Sequence, residues 1–174
     1  SVVERMDELR PHVAGFLVTF VENEGGLGGV DPARVRPLRE AAGRLRLTIA
    51  GGVTTAEDVA ALDALGCEAQ VGMALYTGRL GLAEAFAAPL RSDRPDGLWP
   101  TVVADERGVA LGLCWSDAES LAVALERGRG VYRSRSRGLW VKGESSGATQ
   151  ELLEVRADCD RDALLFVVRQ REPG

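Results

Sequence analysis

The chain has 174 residues, 45% hydrophobic and 27% charged, with 21 Lys and Arg against 26 Asp and Glu for a formal net charge of −5. That is the composition of a soluble globular protein with one generous domain or two small ones. The acidic balance excludes nonspecific nucleic-acid binding, and no apolar run approaches a membrane span of about 20 residues or the core of a secretory signal. Cys67, Cys114 and Cys159 are odd in number and far apart, so a reducing cytoplasm is expected rather than a disulfide framework.

In chain order, SVVERMDELR spaces Val3, Met6 and Leu9 as a helix does, and an opening at Ser1 straight into helical pattern suggests a piece of a longer polypeptide. HVAGFLVTFV is a continuous apolar run, which predicts a strand buried on both faces. DPARVRPLREAAG is a helix with Asp31 as N-cap, Pro32 at its first position and Gly43 at its end. RLTIAGG predicts a second buried strand. TTAEDVAALDALG predicts a helix with Thr54 and Glu57 as a capping box and Gly66 as C-cap, EAQVGMAL a third strand, and LGLAEAFAAPL a last helix. Strand and helix alternating in this way imply parallel pairing. Three strands cannot close a barrel.

Residues 91–97, RSDRPDG, predict a linker between a first domain, 1–90, and a second, 98–174. Beyond it TVVAD and VALGLCW predict a hairpin, and Ser116 with Glu119 a capping box over a helix ending near Gly128. VYRSRSRG and LWVKG predict a strand pair around Gly138. LLEVRADCD and ALLFVVRQ predict apolar strands flanking an aspartate cluster. The second domain reads as α+β with mostly antiparallel pairing.

Two stretches could carry chemistry. In RADCDRDALL an extended chain would place Asp158, Asp160 and Asp162 on one face and Cys159 on the other. Carboxylates about 5 Å apart at an effective dielectric near 20 repel by about 3 kcal/mol, so the triplet requires protons, arginines or a cation. A solvated acidic turn helped by Arg156 and Arg161 is one reading, and a hard divalent ion such as Mg²⁺ another. An EF-hand is excluded, because Ala163 and Arg169 stand where that loop needs glycine and glutamate. Cys159 alone reads as a small buried hydrophobe, since zinc would need further ligands and the chain offers only Cys67, Cys114 and His12. In GVYRSRSRGLWVKGESSGATQ, arginines at 133, 135 and 137 and Lys142 alternate with serines, and glycines at 138, 143 and 147 allow close backbone approach. That suits a phosphorylated substrate, or equally a charged hairpin face. Tyr132 and Trp140 read as core or as stacking residues.

DRPDGLWPTVV, GRGVYRSRSRGLWVKGESSGATQ and DCDRDALLFVVRQ, in this order and spacing from about Asp93 to the end, resemble phosphoribosyl-AMP cyclohydrolase of histidine biosynthesis. RPDG, GRGVY and SGATQ are most similar to the version inside multifunctional fungal-type enzymes, where a barrel segment precedes and a pyrophosphohydrolase follows. The resemblance implies Asp158, Asp160 and Asp162 as Mg²⁺ ligands and Cys159 as a Zn²⁺ ligand. It implies a substrate pocket shaped by Ser134, Arg135, Ser136, Arg137, Trp140, Lys142, Gly143, Glu144, Ser146 and Gly147. It further implies a small phosphorylated nucleotide as substrate, opened between N1 and C6 of its purine by a zinc-activated water, and a homodimer. Two departures stand out: family members carry a further segment with two more cysteines, expected to complete the zinc site, and Ala148 stands where many relatives have histidine. IAGGVTTAEDVAALDALGCEAQVGMALYTGR, within residues 1–90, resembles the last three βα units of ProFAR isomerase, a (β/α)₈ barrel. That implies a phosphate site at Gly51, Gly52 and Gly72. Phe20 stands where that family has an aspartate after its sixth strand. A packing-only half-barrel is therefore expected here, with isomerase-like activity or a non-catalytic phosphate-binding scaffold as alternatives.

Overall fold

The computed structural model describes residues 1–21, 28–134, 136 and 138–171, and no helix among them is long and apolar enough to cross a membrane. They form two compact units, divided between Pro89 and Leu90.

In the first unit, α1 (Val2–Leu9), β1 (Gly15–Thr19), α2 (Pro32–Ala42), β2 (Arg46–Ala50), α3 (Ala56–Ala64) and β3 (Glu68–Gln70) precede two short helices, α4 (Met73–Tyr76) and α5 (Leu82–Ala87). The strands pair in parallel in the order β1-β2-β3, with Val18 opposite Ile49 and Ile49 opposite Ala69. Val35, Leu38 and Ala42 of α2 and Leu62 of α3 pack with Leu47 and Ile49 into one core. This is the strand–helix alternation of a partial barrel. Among the described residues the sheet is covered on one face only: Leu17, in the apolar run expected to be buried on both sides, is 59% exposed. The expected third strand ends at Gln70, and Met73–Tyr76 turns into helix after Gly72.

The start of α2 is as expected, with Asp31 as N-cap, but the two expected capping boxes each sit one residue later. At α3 the capping box is Thr55 with Asp58, because the Thr54 hydroxyl itself donates to Asp58. In the second unit the helix α6 (Ala118–Arg127) is capped by Asp117 with Ser120. Ser116 is buried and accepts a hydrogen bond from the Thr101 hydroxyl at 2.7 Å, so its oxygen is committed to the core.

The second unit builds a four-stranded sheet from β4 (Trp99–Asp105), β5 (Ala110–Ser116), β8 (Gln150–Ala157) and β9 (Leu164–Gln170), in the order β5-β4-β9-β8. Only the central β4–β9 pairing is parallel. A hairpin of β6 (Val131–Ser134) and β7 (Gly138–Val141) lies beside α6 and β5. Val103, Leu121, Val131, Tyr132, Phe166 and Val168 form its fully buried interior. The 91–97 segment, read as a linker, is hydrogen-bonded into this unit. The Arg91 amide donates to the Arg161 carbonyl, the Ser92 hydroxyl to the Leu98 carbonyl, and the Gly97 amide to the Arg94 carbonyl.

Candidate functional site

The aspartates lie in the turn between β8 and β9, not in an extended strand. Asp158 makes the turn: its Oδ1 accepts the amides of Asp162 and Ala163, each at 3.1 Å, and its own amide donates to the Ala163 carbonyl. Arg161 takes the left-handed conformation, with φ of 66°. This folding, rather than period-two alternation, gathers the carboxylates. One oxygen from each of Asp158, Asp160 and Asp162 lies within 4.8 Å of the others. The negative charge of Asp160 pushes the Asp162 carboxyl above its usual value, with burial, Asp158 and Asp93 adding to the effect. The hydrogen bond from the Ala163 amide holds Asp158 below its usual value. Clustered acids with opposed shifts are a donor set that fits a hard divalent cation.

Zinc does not fit in the same way. Cys159 is exposed, contrary to the buried reading, and its thiol donates to Asp160 Oδ1 at 3.8 Å. Among the described residues no group of metal-binding side chains that includes a thiol comes together, whereas a tetrahedral zinc site needs three or four such ligands.

Beside the hairpin is an open cleft of about 510 Å³. Leu113, Cys114 and Trp115 of β5 line one side, and Tyr132, Arg133, Ser134, Ser136 and Trp140 line the other. Ser134, Ser136 and Trp140 were expected here. Arg135 and Arg137 lie outside the described residues. Arg133 is bound to two carboxylates: Nε donates to Asp117 at 2.5 Å and Nη2 to Glu119. Tyr132 is buried, donates its hydroxyl to Gln150 at 2.7 Å, and its ring leans on Trp140 and Phe166. Burial pushes the Cys114 thiol up against the opposing charge of Lys142. Leu113, Cys114 and Trp115 were missed by sequence reading, although they occupy the strand VALGLCW. Their signal is an edge strand whose alternation runs apolar on both faces.

The loop from Val141 to Gln150 coils on itself. Gly143 has φ of 83°, and a Cβ there would come within 2.5 Å of the Ala148 carbonyl and the Thr149 nitrogen. Gly143 is therefore required by the chain's own backbone. Its carbonyl accepts the Gly147 amide at 2.9 Å, and the Lys142 ammonium donates to the Ala148 carbonyl at 3.4 Å. Glu144, Ser146 and Gly147 are exposed, and neither they nor Lys142 nor Gly143 lines the described cleft wall.

In the first unit, Gly51 and Gly52 adopt φ of 85° and 88°, and a Cβ on Gly51 would meet the Phe20 carbonyl oxygen at 2.5 Å. Gly72 precedes the four-residue α4. Asp58 in the first turn of α3 gathers the amides of Thr54 and Thr55, which lead into that helix, the amide of Val30 and the Thr54 hydroxyl, at 3.0–3.1 Å. Burial pushes the Asp58 carboxyl up, but these donors outweigh it and hold it below its usual value.

Residues 112–174 match the family model of phosphoribosyl-AMP cyclohydrolase, and residues 1–81 that described as histidine biosynthesis protein. The chain is 55% identical over 94 residues to a histidine biosynthesis trifunctional protein of Neurospora crassa, covering 54% of this chain and 11% of that one. It is 51% identical over 96 residues to a histidine biosynthesis bifunctional protein of Schizosaccharomyces pombe, covering 55% and 23%. It is 57% identical over 80 residues to a phosphoribosyl-AMP cyclohydrolase of a Ruegeria species, covering 45% and 62%. The chain thus spans less than a quarter of the length of these fungal relatives.

Proposed function

We propose that this chain, in which a segment of a histidine-biosynthesis family (1–81) precedes a segment of the phosphoribosyl-AMP cyclohydrolase family (112–174), hydrolyses the purine ring of N1-phosphoribosyl-AMP with its second unit. In this reaction water adds at C6 and the C6–N1 bond breaks, the proton passing to N1. The observation that carries the reading is the convergence of Asp158, Asp160 and Asp162 in a segment of that family.

Asp158, Asp160 and Asp162 would hold Mg²⁺, which supplies positive charge for phosphate oxygens. The cleft of aromatic side chains and serine hydroxyls would take the nucleotide, its flat base between ring walls and its sugar toward the polar groups. The family resemblance also implies zinc, with Cys159 as a ligand. Since the described residues supply one thiol at the turn, no step is assigned through that metal. The first unit is proposed as a packing element. Against its phosphate reading at Gly51, Gly52 and Gly72 stands Asp58, a carboxylate that already holds the amides of Thr54 and Thr55 just beyond those glycines.

We also propose a cytoplasmic homodimer. The exposed pair Val102 and Leu113, opposite each other on β4 and β5 at 42% and 65% exposure, supports association through that sheet face. A second functional reading, a nucleotide-binding scaffold without turnover, is favoured by the solitary thiol. The test is ultraviolet absorbance during incubation with N1-phosphoribosyl-AMP, with zinc and magnesium measured in the same sample. Ring opening that stops on chelation is the expected result. Tight binding without absorbance change, at saturating levels of both metals, would replace hydrolysis by the scaffold reading.

A further inference from the structure

We infer that Gln150 is a positioning residue of the cleft: it holds the Tyr132 hydroxyl at the end of a buried, one-directional chain of hydrogen bonds, so that Tyr132 offers the nucleotide a fixed ring and no proton. For the reaction served, the inference rests on the cyclohydrolase reading. The chain of bonds stands on the geometry of the second unit alone.

The direction of the chain is set at its far end. Nε2 of Gln170, on β9, donates to the Thr149 carbonyl at 3.3 Å and to the Arg171 carbonyl at 3.2 Å. Backbone carbonyls only accept, so this end of the Gln170 amide is its NH2 group and the other end, Oε1, is an acceptor. Gln150 stands directly opposite on β8 and must donate to it, through Nε2 at 3.0 Å. That leaves Gln150 Oε1 facing the Tyr132 hydroxyl at 2.7 Å, and an amide oxygen can only accept. Tyr132 is therefore the donor. Gln150 is 4% exposed and does not line the cleft, so the hydroxyl proton is turned into the protein.

The cleft has one wall on the sheet, at β5, and the other on the hairpin, so its width depends on what fastens hairpin to sheet. Part of that fastening passes through Gly130, whose amide donates to the Gln150 carbonyl at 3.0 Å and whose carbonyl accepts the Lys142 amide at 2.9 Å. The φ of Gly130 is not left-handed, so the backbone does not call for glycine there. Space does: a Cβ would come within 2.6 Å of Gln150 Oε1 and 2.9 Å of the Tyr132 hydroxyl oxygen. The bond between Tyr132 and Gln150 runs through the room that this missing Cβ leaves.

At the cleft end, the Tyr132 ring centroid lies 5.8 Å from that of Trp140 and 5.6 Å from that of Phe166. A tyrosine anchored by its hydroxyl and packed on two rings keeps one position before any ligand arrives, as a preorganised binding surface requires. Burial pushes the Tyr132 hydroxyl well above its usual pKa, with Cys114 adding to the effect. Tyr132 thus keeps its proton at neutral pH and spends it on Gln150. In the proposed hydrolysis the proton that reaches N1 comes from another donor.

The test uses the full chain in wild type and in Gln150→Leu, Tyr132→Phe, their double variant and Gln170→Leu, with circular dichroism confirming the fold of each. It measures turnover of N1-phosphoribosyl-AMP, calorimetric binding of AMP, and iodoacetamide labelling of Cys114, which lines the cleft, against Cys159, which does not. Gln150→Leu and Tyr132→Phe are each expected to raise KM and weaken AMP about 3- to 10-fold, with a smaller fall in kcat. Cys114 should label several-fold faster in both, with Cys159 as in wild type. The double variant should be no worse than the weaker single one, because both remove the same link. Gln170→Leu, which lies outside the cleft wall, should show part of the same loss. Folded Gln150→Leu with wild-type KM, AMP affinity and Cys114 labelling would overturn the inference, as would additive losses in the double variant. So would Tyr132→Phe that lowers kcat at unchanged KM, since the hydroxyl would then act on the substrate. AMP binding that weakens in Gln150→Leu in a chain without turnover would uphold the positioning role and remove the hydrolytic reading instead. A wild-type chain with neither AMP binding nor turnover would overturn both.

Discussion

Asp158 accepts the amide of Asp162 at 3.1 Å, and this bond draws together two carboxylates that repel each other. One side chain therefore both builds the turn and contributes to the acidic cluster. The two roles separate by substitution. Asp158→Asn keeps an oxygen that can accept the amides of Asp162 and Ala163, so its thermal unfolding should change little, while its affinity for Mg²⁺ or Mn²⁺ falls about tenfold or more with the lost charge. Asp158→Ala removes both and should also lower the temperature of thermal unfolding, because the amides of Asp162 and Ala163 lose their acceptor. Calorimetric titration with each metal, paired with thermal unfolding, checks the split. Equal metal affinity in wild type and Asp158→Asn would mean that the cation does not sit at this turn.

The cysteines should react in the order of their surroundings. Cys159 is exposed, Cys114 is partly covered and its thiol pushed up by burial, and Cys67 is buried with its thiol likewise pushed up despite the Arg39 charge. Thiolate is the reactive form, so brief iodoacetamide treatment at pH 8 should label Cys159 first and Cys67 last, read by peptide mass spectrometry. Added zinc should slow labelling of Cys159 alone if that thiol is a ligand. Unchanged labelling at saturating zinc would remove Cys159 from the metal site.

How much of this could be read from the sequence depends on the range of each interaction. The strand and helix order of the first unit follows from hydrophobic period and from Asp31, Pro32 and Gly43, all local signals. The capping boxes were displaced by one residue because Thr54 and Thr55, or Ser116 and Asp117, are equally good caps by type. What decides between them is burial: Ser116 is drawn into the core by Thr101, fifteen residues away. The aspartate cluster was legible, with a turn as one of its readings beside an extended segment, and what sequence did not show is the contact that decides between them, Asp158 reaching forward to the amides of Asp162 and Ala163. Residues 91–97 have the composition of a linker, and long-range contacts such as the bond from Arg91 to Arg161 show them folded into the second unit. The stacking of Arg94 on Trp115 spans 21 positions and left no pattern at all.

Asp58 makes the stability of the first unit depend on acid. Its folded pKa lies below the usual carboxylate value, so the unfolded chain binds its proton more readily. The contribution is therefore complete above the unfolded pKa of about 3.9 and is lost as pH falls through the lower folded value. Thermal unfolding of the wild type should weaken steadily below about pH 4 relative to Asp58→Asn, whose own stability carries no such term. At pH 7 the same substitution should cost about 1–3 kcal/mol, because the amides of Val30, Thr54 and Thr55 lose a charged acceptor. Parallel stability–pH curves for the two proteins between pH 2.5 and 5, a window set about that unfolded value, would show that the carboxylate does not hold these amides.

Gly143 and Gly108 offer a comparison in which the backbone is matched. Both adopt φ of 83°, so alanine at either meets the same left-handed penalty, about 1–2 kcal/mol. Their surroundings differ: a Cβ at Gly108 finds nothing within 4 Å, while at Gly143 it meets the Ala148 carbonyl group and the Thr149 nitrogen at 2.5 Å. Those atoms are backbone and cannot swing aside as a side-chain tip would. Gly108→Ala should therefore cost the conformational penalty alone, and Gly143→Ala that penalty plus the displacement of residues 148–149, on the order of 2 kcal/mol more. Because Thr149 also accepts the Arg171 amide and leads into β8, the disturbance should reach the four-stranded sheet. Denaturant unfolding of both variants gives the difference directly. Equal losses would mean that the loop yields without cost, and that its coil does not require glycine at 143.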